Sequence, residues 1–172
     1  MNIGMIAVAA LIPLVLGFVW YNPMVFGKAW MKVAGTSETD RPTGGKMAGI
    51  FLLTFVLGFF IAFMMQFLVI HQRHVMSILM DTPGFMEAGT HQPSKTSEIG
   101  MLYANFMERF GNNYRTFKHG ALHGTMTGVL LVTPVIAINA IFERKGFKYI
   151  AINGGYWIVS LALMGGVVCA FA

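Results

Sequence analysis

Hydrophobic positions in this chain run in long unbroken stretches and do not alternate with polar ones. Residues 3–21 and 47–70 contain no charged side chain, residues 120–142 carry His123 as their only ionisable group, and residues 149–172 are uncharged to the last position. A helix needs about 20 mostly apolar residues to cross roughly 30 Å of hydrocarbon. Each stretch meets that requirement. The pattern therefore predicts an all-α integral membrane bundle of four transmembrane helices, at about 3–21, 47–70, 120–142 and 149–172. The first stretch is read as a retained span and not a cleaved leader, because the first lysine is Lys28 and the apolar run exceeds a typical signal-peptide core.

The connections differ in kind. After the first span, Asn22-Pro23 breaks the helix, and residues 26–32 predict a short amphipathic helix on the membrane surface. Trp20, Tyr21 and Trp30 favour the headgroup level there, while Lys28 and Lys32 can reach water. Residues 143–148 form a tight polar hairpin. The segment between the second and third spans is far longer and holds an extramembrane helical insertion at about 75–113. Asp81 to Ser97 is rich in Pro, Gly, Thr and Ser and reads as loop. Beyond it, Ile99, Leu102, Tyr103, Phe106, Met107 and Phe110 recur at helical spacing, with Ser97 as N-cap and Gly111-Asn112 as stop. Such a helix lies in the membrane interface or caps the bundle.

Composition agrees with lipid as the solvent. Of 172 residues, 56% are hydrophobic and 11% charged, and the mean hydropathy is +0.65; soluble domains carry about 25% charge. A soluble enzyme is excluded. The formal charge of +5 does not point to nucleic acid, since the basic residues flank hydrophobic runs and form no block; anionic lipid headgroups suit them better. Lys28, Lys32, Arg41 and Lys46 in the first loop and Arg144, Lys145 and Lys148 in the third make seven of the twelve basic residues. The second connection holds Arg73, Lys95, Arg109, Arg115 and Lys118, diluted by Asp81, Glu87, Glu98 and Glu108. The positive-inside rule then places loops one and three in the cytoplasm, with both termini and the insertion outside.

Two blocks carry a resemblance. The string WYNPMVFGKAWMK, residues 20–32, and the run IFERKGFKYIAINGGYWIVSLALMGG, residues 141–166, resemble a family of small four-span bacterial proteins catalogued as domain of unknown function 1761. The resemblance implies an integral protein of the bacterial inner membrane. It implies no activity, substrate or catalytic residue. The insertion is longer than the resemblance leads one to expect.

Within the spans, Gly120, Gly124 and Gly128 place small residues on one face, the arrangement by which membrane helices approach closely. Gly165 with Cys169, and Gly166 with Ala170, offer the same in the last span. Pro13 and Pro134 each remove an intrahelical hydrogen bond and predict kinks. Asn139 and Asn153 are expected to donate hydrogen bonds between helices. No Asp, Glu, Lys or Arg lies well inside a span, which argues against a buried carboxylate relay or a catalytic dyad, and no nucleophile–base motif, phosphate loop or Cys-x-x-Cys pair is present. The histidines are the exception. His71 and His74 are spaced i, i+3 after the second span, and His119 and His123 i, i+4 at the start of the third. Each pair shares a helical face, as a common metal or haem site needs; His91, Asp81, Glu87 or Glu98 could complete the shell. Histidines that simply face water at the interface have the same spacing.

Three functions remain open on this reading. The leading one is a structural or accessory subunit that oligomerises or docks onto a larger membrane complex. The others are a small oligomeric channel or transporter, and a metal- or haem-binding membrane protein.

Overall fold

The computed structural model describes residues 2–40 and 42–172; Arg41, counted above among the basic residues of the first loop, lies outside them. The fold is all-α. Among the described residues, four helical segments are long and apolar enough to cross a membrane: Ile3–Trp20, Gly45–Val69, Phe117–Phe142 and Phe147–Phe171. This is a multi-pass membrane protein. The chain forms two compact units, one made of Met1–Val69 with Thr116–Ala172 and the other of Ile70–Arg115.

In the first unit, the first span is two short helices, α1 (Ile3–Ala10) and α2 (Ile12–Trp20), separated at Leu11. The Asn2 side chain accepts from the Met5 N–H at 3.2 Å and caps α1. Pro13 falls in the first turn of α2, where its missing N–H costs least, so the expected kink takes the form of a break two residues earlier. The elbow follows as α3 (Gly27–Ala34), ended by Gly35 in the left-handed conformation at φ 78°. A 3₁₀ turn at Glu38–Asp40 leads to α4 (Gly45–Val69), the second span. The third span begins at Phe117, earlier than the apolar pattern indicates, because the Thr116 hydroxyl accepts from the His119 N–H at 3.2 Å and caps α7 (Phe117–Thr127) across a polar first turn. A π-helical turn, Gly128–Val132, joins α7 to α8 (Thr133–Phe142). The last span is α9 (Phe147–Phe171).

The helix α9 is the hub. Half of its apolar stretch is buried, against 22% for the first span and 11% for each of the other two. Its seam with α7 is built on absent side chains. A Cβ on Gly120 would strike the Gly165 carbonyl oxygen, one on Gly124 the Leu161 carbonyl oxygen, and one on Gly128 would lie 2.7 Å from the Ile158 Cα. Gly166 likewise admits the Phe117 ring. On the other side of the unit, Gly58 of α4 meets the Ala10 carbonyl, at 2.8 Å from where its Cβ would be. Without a hydrophobic effect between helices in lipid, such close backbone approach supplies the dispersion energy of association.

The second unit holds α5 (Gln72–Leu79) and α6 (Glu98–Phe110). The α5 helix has no counterpart in the sequence reading, since eight residues give too few turns for a periodic signal. Ser97 caps α6 through the Gly100 N–H at 3.1 Å. Phe85, fully buried, packs edge-on against Tyr103 with ring centroids 5.3 Å apart. The buried Gln72 amide donates to the Phe110 and Asn113 carbonyls at 3.0 and 2.7 Å, tying the end of α6 to the start of α5.

Candidate metal-binding histidines and an aromatic clasp

Capping by Thr116 winds residues 117–123 into regular helix and puts His119 and His123 one turn apart on α7. Their rings meet edge-on with centroids 4.6 Å apart, and the two residues offer imidazole nitrogens within 4.8 Å of one another. Both side chains are half-buried. Gly120 and Gly124 follow them directly and face α9, so the imidazoles point off the seam by about one residue's rotation of 100°. Two neutral imidazoles at this spacing can ligate one ion, whose metal–nitrogen bonds are about 2.0–2.1 Å. They cannot both be axial ligands of one haem, because those stand on opposite faces of the macrocycle and rings 4.6 Å apart leave no room for it.

His71 and His74 belong to the second unit. His71, exposed, immediately precedes α5, and its carbonyl accepts from the His74 N–H at 3.1 Å; His74 is exposed on the first turn. His91, Asp81, Glu87 and Glu98 are all exposed, the first three in or beside the loop between α5 and α6.

A second cluster lies at the opposite end of the first unit. The Asn153 side-chain oxygen accepts from the Tyr21 hydroxyl at 3.0 Å and the Trp30 indole at 3.2 Å, while its amide donates to the Tyr149 carbonyl at 2.9 Å. The sequence reading assigned Asn153 as a donor between helices; its donor stays within α9 and its acceptor crosses. Asn139 is exposed on α8. The Trp20 indole donates to the Ile152 carbonyl at 3.0 Å, and the Tyr156 hydroxyl to the Pro13 carbonyl at 2.7 Å. The residues that form the elbow motif are thus clasped to α9 by three side-chain hydrogen bonds, and Pro13 of α2 by a fourth. Beside the clasp lies a cavity of about 570 Å³ between α2, α3 and α4. Sequence reading missed it, because a cavity depends on how helices splay and leaves no periodic trace.

Residues 5–169 match the family described as "Protein of unknown function (DUF1761)". The chain belongs to this family. The match takes in both blocks that carry the resemblance and the insertion between the second and third spans. No curated protein and no solved structure matches the chain.

Proposed function

We propose that this chain is a protein of the bacterial cytoplasmic membrane that holds a divalent transition-metal ion on histidine imidazoles. The observation that carries the reading is the pairing of His119 and His123 on one helix face, with nitrogens within 4.8 Å. A donor set of nitrogen alone suits zinc, copper or nickel and is poor for magnesium or calcium. His71 and His74, paired by their i, i+3 spacing, belong to the second unit and are assayed apart from this pair. The excess of basic residues in the first and third loops favours an orientation with both termini outside.

The test is metal analysis of the purified protein after equilibration with zinc and removal of excess. The parent should retain zinc near neutral pH and release it on acidification, because each ligating imidazole must be unprotonated. His119→Ala with His123→Ala should abolish retention while leaving the helical circular dichroism unchanged. His71→Ala and His74→Ala, made singly, report on the other pair. Equal zinc retention by parent and double variant would sink the proposal.

A second reading, an accessory subunit that oligomerises or docks onto a larger membrane complex, is favoured by one observation. Three of the four spans bury no more than 22% of their apolar stretch, which leaves wide faces for other membrane helices. Mass measurement in mild detergent at native abundance tests it: a monomer with no copurifying protein refutes it.

A further inference from the structure

The cavity beside the clasp has a chemistry of its own. Phe18 of α2 and Phe51 of α4 meet edge-on across it with centroids 5.3 Å apart, Tyr21 and Tyr156 line its inner side, and Ser37 and Asp40 stand at its mouth. Phe18 is 62% exposed and Ile50, on the α4 wall, 45%, so the walls open towards the surroundings of the helices. Four of the donors that line it are already engaged. Tyr21 and Trp30 donate to Asn153, Tyr156 to the Pro13 carbonyl and Thr54 to the Ile50 carbonyl at 2.8 Å. The inner surface therefore presents ring and methylene groups and suits a hydrocarbon occupant. At about 570 Å³ it falls within the range of ligand pockets, roughly 300–1,000 Å³.

The mouth adds charge. The Asp40 carboxylate accepts from the Ser37 N–H at 2.7 Å and from the Ser37 hydroxyl at 2.8 Å. These two bonds favour its ionised form and hold its pKa below the usual carboxylate value. Cations belong to the same end of the unit. Lys145 donates to the Ala34 carbonyl at 2.8 Å, beside Gly35, and Lys46 precedes Met47 on the α4 wall. A fixed carboxylate in a lysine-bearing stretch complements a headgroup that has an ammonium as well as a phosphate. We propose that the cavity is a binding site for an aminophospholipid, with an acyl chain between α2 and α4, its ammonium on Asp40 and its phosphate among the lysines. A headgroup with phosphate alone would meet Asp40 as a like charge.

The experiment is native mass spectrometry of the full chain, metal-free so that it stands apart from the histidine reading. The protein is incubated in mild detergent with equimolar phosphatidylethanolamine and phosphatidylglycerol of the same acyl chains. The parent should retain phosphatidylethanolamine in preference. Asp40→Asn, at an exposed position that leaves the fold alone, should reduce that preference by up to about fivefold, as an exposed charge pair allows. Gly17→Leu should lose both lipids. A Cβ at Gly17 meets only the Tyr156 side chain, at ordinary contact distances of 3.7 and 3.9 Å, so the longer side chain extends into the cavity. Equal retention of the two lipids by the parent, an unchanged preference in Asp40→Asn, or undiminished retention in Gly17→Leu would each overturn the proposal. Thermal unfolding of both variants confirms that they are folded.

Discussion

Replacing Gly124 with alanine adds one methyl group at the tightest point of the seam between α7 and α9. That methyl would occupy the place of the Leu161 carbonyl oxygen and stand 3.0 Å from the Ala162 Cα. Both are backbone atoms of the hub helix, so no side chain can swing aside and the helices must separate. Separation at Gly124 is felt at Gly120 and Gly128, which also approach α9 closely, at Gly165 and Ile158. Overpacking of this kind costs about 1–3 kcal/mol, occasionally more. Alanine regains about 0.5–1 kcal/mol through its better helix propensity. The expected net loss is about 1 kcal/mol, with about 2.5 kcal/mol as the upper end. Gly49→Ala in α4 is the matched control, since a Cβ there meets nothing within 4 Å; it should be neutral or stabilising by up to about 1 kcal/mol. Unfolding in mixed micelles of rising dodecyl sulfate fraction, followed by tryptophan fluorescence, reads both. The reasoning fails if Gly124→Ala unfolds at the parent's midpoint, or if the two alanines shift it in the same direction.

Tyr156→Phe should destabilise the first unit by about 0.6 kcal/mol, the mean for a hydrogen bond between membrane helices. It leaves the ring packing on Tyr21 intact and removes the bond to the Pro13 carbonyl; the same micelle titration measures it. In the second unit, Gln72→Leu should take away the donor to the Phe110 and Asn113 carbonyls. The Phe110 carbonyl keeps the Asn113 N–H as a partner at 3.0 Å, so the expected cost is that of lost hydrogen bonds, about 1 kcal/mol, seen as faster amide exchange around residues 110–113, with residues of α9 unchanged.

What could be read from the sequence follows from how locally each feature is determined. The all-α class and the four apolar stretches depend on composition along the chain, and they are legible without any knowledge of contacts. So is α6, whose Ser97 cap and apolar stripe are both local. The acceptor role of Asn153 is not local, because it depends on Tyr21 and Trp30 arriving from more than a hundred residues away. The pairing of His119 with His123 is a one-turn spacing and was visible. The start of their helix at Phe117 was not, since Lys118 and His119 make the first turn polar and only the Thr116 cap shows that it is helix. The cavity has no sequence signal at all, being the space left between α2 and α4 when α1 closes on α4 at Gly58.

The third span shows most clearly how a non-helical period solves a packing problem. Contacts with α9 fall at Gly120, Gly124 and Gly128, in steps of four, opposite Gly165, Leu161 and Ile158. A third step of four would reach Val132. Gly154 of α9 instead meets Thr133, whose hydroxyl and methyl lie 3.0 Å from where a Cβ on Gly154 would be. The step of five is the π turn, Gly128–Val132. Pro134 supplies the reason, since its ring has no N–H to give and opposes the carbonyl four residues back, at Leu130. One extra residue in the preceding turn relieves that opposition and rotates everything beyond it by about 100° relative to an unbroken helix. Without the extra residue, the seam glycines and Thr133 could not all face α9 in one straight span. With it, the glycine end of the span, which also carries His119 and His123, stays regular and close to the hub while the strain of the proline is taken up further along. The histidine pair is therefore held on the most constrained stretch of the third span.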